Sequence, residues 1–268
     1  MIKAARNPWM AARWLAVAFA TLVLMFLIVP TFIIVPISFS SDPFLSFPPP
    51  GLSLRWYQAF SASLDYQQAL LNSMLIGLPV ALLSTILGTA AAVPVVRGNL
   101  PGRRLIAALL IAPLILPQIV LAIGMYPVMA QLGLIGTYPA ILLGHTVVCM
   151  PLVFITVSAA LQTYPPTFEL AAMTLGATWW QTFWTVTFPM LRPAVITGFV
   201  FAFTFSFDEL ILAMFLTSPT TRTLPRLLWE QLNYQMTPVI AAATTIVLCI
   251  TISLLLGGAL VSRRLLKS

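Results

Sequence analysis

Charge is the scarcest commodity in this sequence. Only 7% of its 268 residues are Asp, Glu, Lys or Arg, where an ordinary soluble domain carries roughly 25%. Acidic residues number six, histidine one and cysteine two. Cys149 and Cys249 lie far apart inside apolar runs, in no C-x-x-C or Cys/His spacing. They read as packing thiols, and neither a disulfide nor a metal centre is implied. No G-x-x-x-x-G-K-[ST] phosphate loop is present, so the chain carries no nucleotide site of that type. An intramembrane enzyme needs a nucleophile, base or metal ligands that converge, and one imidazole with two distant thiols offers little to build from. The formal net charge of +7 does not point to nucleic acid, because the basic residues are scattered at the ends of apolar runs and form no patch.

What the chain has in abundance is hydrophobic length. Apolar residues make up 60% of it and the mean hydropathy is +1.01. These values describe an all-α polytopic membrane protein, a single transmembrane domain over residues 1–268. Six spans fit, at about residues 14–37, 67–96, 105–131, 139–161, 194–217 and 238–261. The first resembles a signal peptide until its length is considered: a signal core is about 7–15 residues, so this longer run is expected to stay as a span. The second is expected to be broken at Gly77-Leu78-Pro79 and at Gly88. Residues 105–168 contain no charged residue, which is too much for one span, and the chain is expected to turn back at Gly133 to Tyr138. Between the first two spans, residues 38–66 form the longest expected outside segment. It carries the Pro48-Pro49-Pro50-Gly51 turn and a short amphipathic helix over about 53–60, with Trp56, Tyr57 and Phe60 at the interface.

Orientation follows from Lys and Arg. With the N-terminus inside, the inner segments hold Lys3, Arg6, Arg13, Arg97, Arg103, Arg104, Arg192, Arg263, Arg264 and Lys267, and the outer ones only Arg55, Arg222 and Arg226. Both termini, and a polar interruption over residues 162–193, are therefore expected in the cytoplasm. Within that interruption Pro165 and Pro166 set φ before a helix, Thr167 can cap it, and Glu169 falls in its first turn, where the macrodipole favours an anion. Gly176 can take the positive φ that ends the helix. A second short helix, from about Trp179, is expected to stop before Pro189.

The order Ala171, Ala172, Gly176, Val186, Phe188, Pro189 resembles the EAA loop of ABC importer permeases: E-A-A, three residues, G, nine residues, an aliphatic residue, one residue, L-P. Leu170 stands where that pattern has Glu, with Glu169 one position earlier, and Phe188 replaces Leu. The resemblance implies the type I importer permease fold of six helices, with a cytoplasmic coupling-helix loop that docks on an ATPase. It assigns the coupling role to Glu169, Leu170, Ala171, Ala172, Gly176 and Pro189. The simpler alternative is an amphipathic helix lying on the membrane through Trp179, Trp180, Phe183 and Trp184.

Asp208 and Glu209 are the one adjacent acidic pair, and they fall inside the fifth span. A carboxylate at that depth normally faces a cavity or a partner. Ser206 to Glu209 reads S-x-x-E, a capping box that would let the helix break and restart with its N–H groups satisfied. Two readings stand side by side: the pair lines a path for a cationic solute, with Phe203, Phe205 and Phe207 as aromatic faces, or it only anchors the break. His145 invites a proton relay, but no carboxylate lies within a helical turn along its own span, and a packed or bonded neutral ring is the expected reading. Phe205 to Leu210, Phe215-Leu216-Thr217, Arg222-Thr223-Leu224-Pro225, Ser53 to Tyr57 and Asn72-Ser73 are similar to permeases of the spermidine/putrescine branch.

That resemblance implies a transport subunit with no reaction of its own. It implies a second, similar permease, two ATPase subunits that bind the ATP, an extracytoplasmic solute-binding protein and the lipid of a bacterial inner membrane. No cofactor is expected on this chain. The competing class is an ATP-independent secondary transporter or channel using Asp208 and Glu209. It leaves the spacing of the 162–193 loop unexplained and usually needs an internal repeat, which the sequence does not display.

Overall fold

The computed structural model describes residues 8–234 and 236–265, so Lys3, Arg6 and Lys267 lie outside the described residues. The chain is α-helical, and among the described residues the sole β pairing is an isolated bridge between Ser40 and Leu52. The helices are α1 (Pro8–Ser38), α2 (Arg55–Ala62), α3 (Leu64–Arg97), α4 (Arg103–Ile115), α5 (Gln118–Gln131), α6 (Tyr138–Thr163) and α7 (Thr167–Thr174). They continue with α8 (Trp179–Thr182), a π-helical turn at Phe183–Thr187, α9 (Phe188–Asp208), α10 (Ile211–Leu216), α11 (Leu224–Tyr234) and α12 (Pro238–Leu265). Five helices among the described residues are long and apolar enough to cross a membrane, and the bent pair α4/α5 would make a sixth.

Two compact units divide the chain. One takes residues 1–62 and 231–248. In it the segment after α1 folds back on α2: the Tyr57 hydroxyl lies 2.7 Å from Ser38 Oγ, and the Trp56 indole N–H donates to the Ser40 carbonyl at 2.7 Å. These aromatics were expected at an interface, and here they hold the extended segment in place.

The second unit takes residues 63–230 and 249–268. Its core is the packing of α3, α6 and α9 on one another. Glycine makes the close approach possible: a Cβ on Gly88 of α3 would stand 2.8 Å from Val153 Cβ of α6, and one on Gly198 of α9 would stand 3.2 Å from the same side chain. A single valine is thus flanked by two backbones.

Three expectations about the spans are corrected. Helix α3 runs unbroken through Gly77, Pro79 and Gly88, because a proline that lacks one donor inside a helix is tolerated where neighbouring helices surround it. The third span is not one rod: α4 and α5 meet at 101° across Leu116 and Pro117. Pro117 withholds its N–H and drives Leu116 into extended geometry, ψ 140°, which ends α4. The helix over the fifth expected span starts before residue 194 and ends before 217. It is a continuous helix from Trp179 to Asp208, and the short α10 follows after a break.

Candidate functional site

Helix α9 stops because of what Glu209 does. That residue is extended (φ −73°, ψ 122°), and its carboxylate turns forward to accept the freed N–H of Leu212 at 3.0 and 2.9 Å and that of Ala213 at 3.3 Å. The capping expected of the S-x-x-E pattern is therefore carried by Glu209 alone. Ser206 is taken elsewhere: its hydroxyl lies 2.9 Å from Nδ1 of the buried His145. The other ring nitrogen, Nε2, lies 3.2 Å from Glu209 Oε2 without a hydrogen bond between them. His145 is thus packed and bonded, as expected of it. Along its own helix no acid is near, but α9 brings one from a different span.

Asp208 behaves oppositely. Glu209 is buried, whereas Asp208 is exposed and makes no hydrogen bond or salt bridge among the described residues. It lines an open cavity of about 600 Å³ with Thr204, Phe205, Glu209 and Leu152, and with Gln118, the first residue after the α4/α5 bend. Two helix breaks thus meet at one cavity. Phe205 belongs to it and Phe207 does not: Phe207 is 1% exposed and stacks on Phe203 with ring centroids 5.5 Å apart. The assignment of Phe207 to a path is corrected by the helix period, which turns positions 203 and 207 to one face and 205 to another.

At the opposite end of α9 lies the polar loop. Helix α7 begins at Thr167, but no side chain caps it, so the cap expected of Thr167 is absent. Gly176, at φ +91°, turns the chain as expected. The next helix starts with a full capping box that sequence reading passed over: Gln181 N–H donates to Thr178 Oγ1 at 3.3 Å and Thr178 N–H donates to Gln181 Oε1 at 2.8 Å. Its signal, T-x-x-Q, was readable. The helix was expected to stop before Pro189 and instead continues through it. The Phe188 N–H reaches back five residues to the Phe183 carbonyl, and this wider turn leads in the residue that has no donor to give.

Glu169 faces the chain itself. Its carboxylate takes Arg97 Nε at 3.0 and 3.2 Å and the Thr187 hydroxyl at 3.0 Å, while the Arg97 guanidinium also donates to the Tyr164 carbonyl at 2.8 Å. The end of α3, the loop and the π turn are joined at one carboxylate. Leu170 is 58% exposed, Ala171 is exposed and Ala172 half-buried, and Phe168, Leu175, Trp179 and Trp180 present further uncovered apolar surface.

A polar clasp closes the α3 end far from Arg97. The Asn72 amide donates to the Thr220 and Arg222 carbonyls at 3.0 and 2.9 Å and accepts from the Tyr138 hydroxyl at 2.7 Å. Ser73 Oγ accepts the Leu224 N–H at 2.9 Å, and Arg222 bridges Asp65 and Glu230. Among the described residues no group of His, Cys, Asp and Glu could hold a metal ion.

Comparison with known proteins fits this geometry into a family. Residues 84–267 match the family described as binding-protein-dependent transport system inner membrane component. The chain is 32% identical over 250 residues to the putrescine transport system permease protein PotI of Escherichia coli K12, covering 91% of this chain and 86% of that one. It is 27% identical to the spermidine/putrescine transport system permease protein PotC of the same strain, over 95% and 96% of the two chains. Among solved structures, a chain of a bacterial alginate ABC transporter in complex with its alginate pentasaccharide-bound periplasmic protein superposes with a TM-score of 0.75. It is 16% identical, covering 98% of this chain and 99% of that one.

Proposed function

Since the chain belongs to the family of binding-protein-dependent transport system inner membrane components, it is the transmembrane permease subunit of an ABC importer, and we propose that it moves a small cationic amine of the putrescine or spermidine class. The transport reading rests on the family, and the charge of the solute on Asp208. An unpaired carboxylate open to a cavity at membrane depth, beside an aromatic ring, suits an ammonium group. The related permeases named for putrescine and spermidine support the same class.

The observation that carries the mechanism is the helix running without interruption from Trp179 to Asp208. Its 30 residues span about 45 Å, with the loop at one end and the cavity carboxylate at the other. In this reading the exposed apolar face of α7, with Leu170, Ala171 and Ala172, docks on an ATPase subunit. Gly176 sets the angle between α7 and the rod, Pro189 lies where the rod leaves the π turn, and closure of the ATPases moves the wall that carries Asp208. ATP is bound by two such partners. A second permease completes the path, a binding protein delivers the solute from outside, and both termini of this chain lie in the cytoplasm.

The test is uptake of labelled putrescine into vesicles holding the assembled importer. Asp208→Asn is expected to lower uptake about tenfold or more, the loss of about 1.4 kcal/mol of attraction, with ATPase assembly unchanged. Undiminished uptake of a dication by that variant would remove Asp208 from the path.

A further inference from the structure

A second groove, which shares no lining residue with the solute cavity, opens where α3 ends and α4 begins. It has a volume of about 510 Å³. One wall is the face of α4 that carries Arg103, Ala107 and Ile111 at intervals of four residues. The facing wall is α6, with Gln162, Ser158 and Phe154 at the same interval. Polarity therefore changes along its length in the same sense on both walls: Arg103, Arg104 and Gln162 at the membrane boundary, then Ser158, then Ile111 and Phe154 in the depth. From Arg103 to Ile111 the rise is about 12 Å.

The charged end lacks partners. Neither the Arg103 nor the Arg104 guanidinium makes a hydrogen bond or ion pair among the described residues. Helix α4 begins after Gly102, φ +70°, with no side-chain cap; the Leu100 carbonyl takes the Arg103 N–H at 3.3 Å and the Gly102 carbonyl the Leu105 N–H at 2.8 Å, so the helix start adds only the positive end of its dipole. One turn further in, Ser158 is 8% exposed, lines the groove, and its hydroxyl has no partner. Two cations, a helix start and a buried hydroxyl above an apolar trough have the chemistry of an anionic head joined to an acyl chain.

We propose that this groove is a binding site for one anionic phospholipid, its phosphate held by Arg103 and Arg104 and an acyl chain laid between α4 and α6. Bound there, the lipid wedges the base of α4, the helix whose far end bends into the solute cavity at Gln118. The site differs from a general attraction of basic residues to a charged surface, because it requires the apolar trough as well as the guanidinium pair.

The experiment offers the full-length chain, in mild detergent, equal amounts of phosphatidylglycerol and phosphatidylcholine, and reads the retained lipid by native mass spectrometry. Phosphatidylglycerol is expected to be retained selectively. Arg103→Gln with Arg104→Gln is expected to lower retention about tenfold or more, and Arg103→Lys with Arg104→Lys to keep it. Ala107→Phe, which fills the trough and leaves the charges alone, is expected to lower it as well, and it carries the test if the double glutamine variant does not fold. Equal retention of the two lipids, retention unchanged by Ala107→Phe, or displacement by glycerol phosphate as effectively as by intact lipid would each overturn the proposal. So would loss of the lipid when the second permease binds, which would assign the groove to a subunit interface.

Discussion

Asp208 and Glu209 are neighbours in the chain, yet their side chains end in different media, and two substitutions separate what each does. The Glu209 carboxylate, buried although the residue borders the cavity, satisfies the N–H groups of Leu212 and Ala213 beside His145. Removing it in Glu209→Ala leaves buried donors unpaired, at about 1–3 kcal/mol each. The thermal unfolding midpoint of the purified chain should fall clearly, while Asp208→Ala, which removes no bond, should leave it within error. A fall of equal size for both would refute this division of labour. Adding His145→Ala to Glu209→Ala should destabilise less than the separate effects together, because the two side chains touch. The sequence pointed to the acidic pair and to a helix break beside it. It could not pair His145 with Glu209, since nothing local links residues on different spans.

At the scale of elements, the loop shows how far the residues alone lead. Gly176 and the start of α7 near Thr167 follow from turn and helix chemistry, and the structure has both. The continuous rod does not follow, because Pro189 is an ordinary stop signal and only the five-residue reach of Phe188 to Phe183 lets the helix pass it. The α4/α5 bend was written in Pro117, but a charge-free run of span length concealed it. Nor does sequence say where Glu169 points. It is joined to Arg97, on a helix more than sixty residues earlier, and to Thr187 in the π turn, so the loop is fastened to α3 and to the rod at once. Arg97→Met should let α7 shift on its base. Solute moved per ATP hydrolysed, in the assembled importer, should fall about threefold to tenfold, equivalent to about 0.7–1.4 kcal/mol for a partly exposed pair. Reversing both charges, Arg97→Glu with Glu169→Arg, should recover part of it. A single variant as efficient as the parent would mean the latch holds nothing that coupling needs.

At the scale of the whole molecule the rod matters only if its ends lie in the right compartments. Ten of the thirteen Lys and Arg residues fall in segments read as cytoplasmic. Arg97 and Arg104, at the end of α3 and the start of α4, lie on the side to which Glu169 is tied. If the loop is inside, the Asn72 clasp and Arg222 are outside, where a binding protein would arrive. A cysteine reporter decides this. Cys149 is buried and Cys249 is exposed, so the background is Cys249→Ala, with Thr174→Cys on the exposed end of α7. A membrane-impermeant maleimide should leave the protein unlabelled in intact cells and label it in inverted vesicles, and Thr220→Cys, on the clasp, should give the reverse. Labelling of position 174 from outside the cell would detach the rod from any cytoplasmic ATPase. The helix from Trp179 to Asp208 could then still shape a cavity, but it could not be driven from the end where its apolar face is bare.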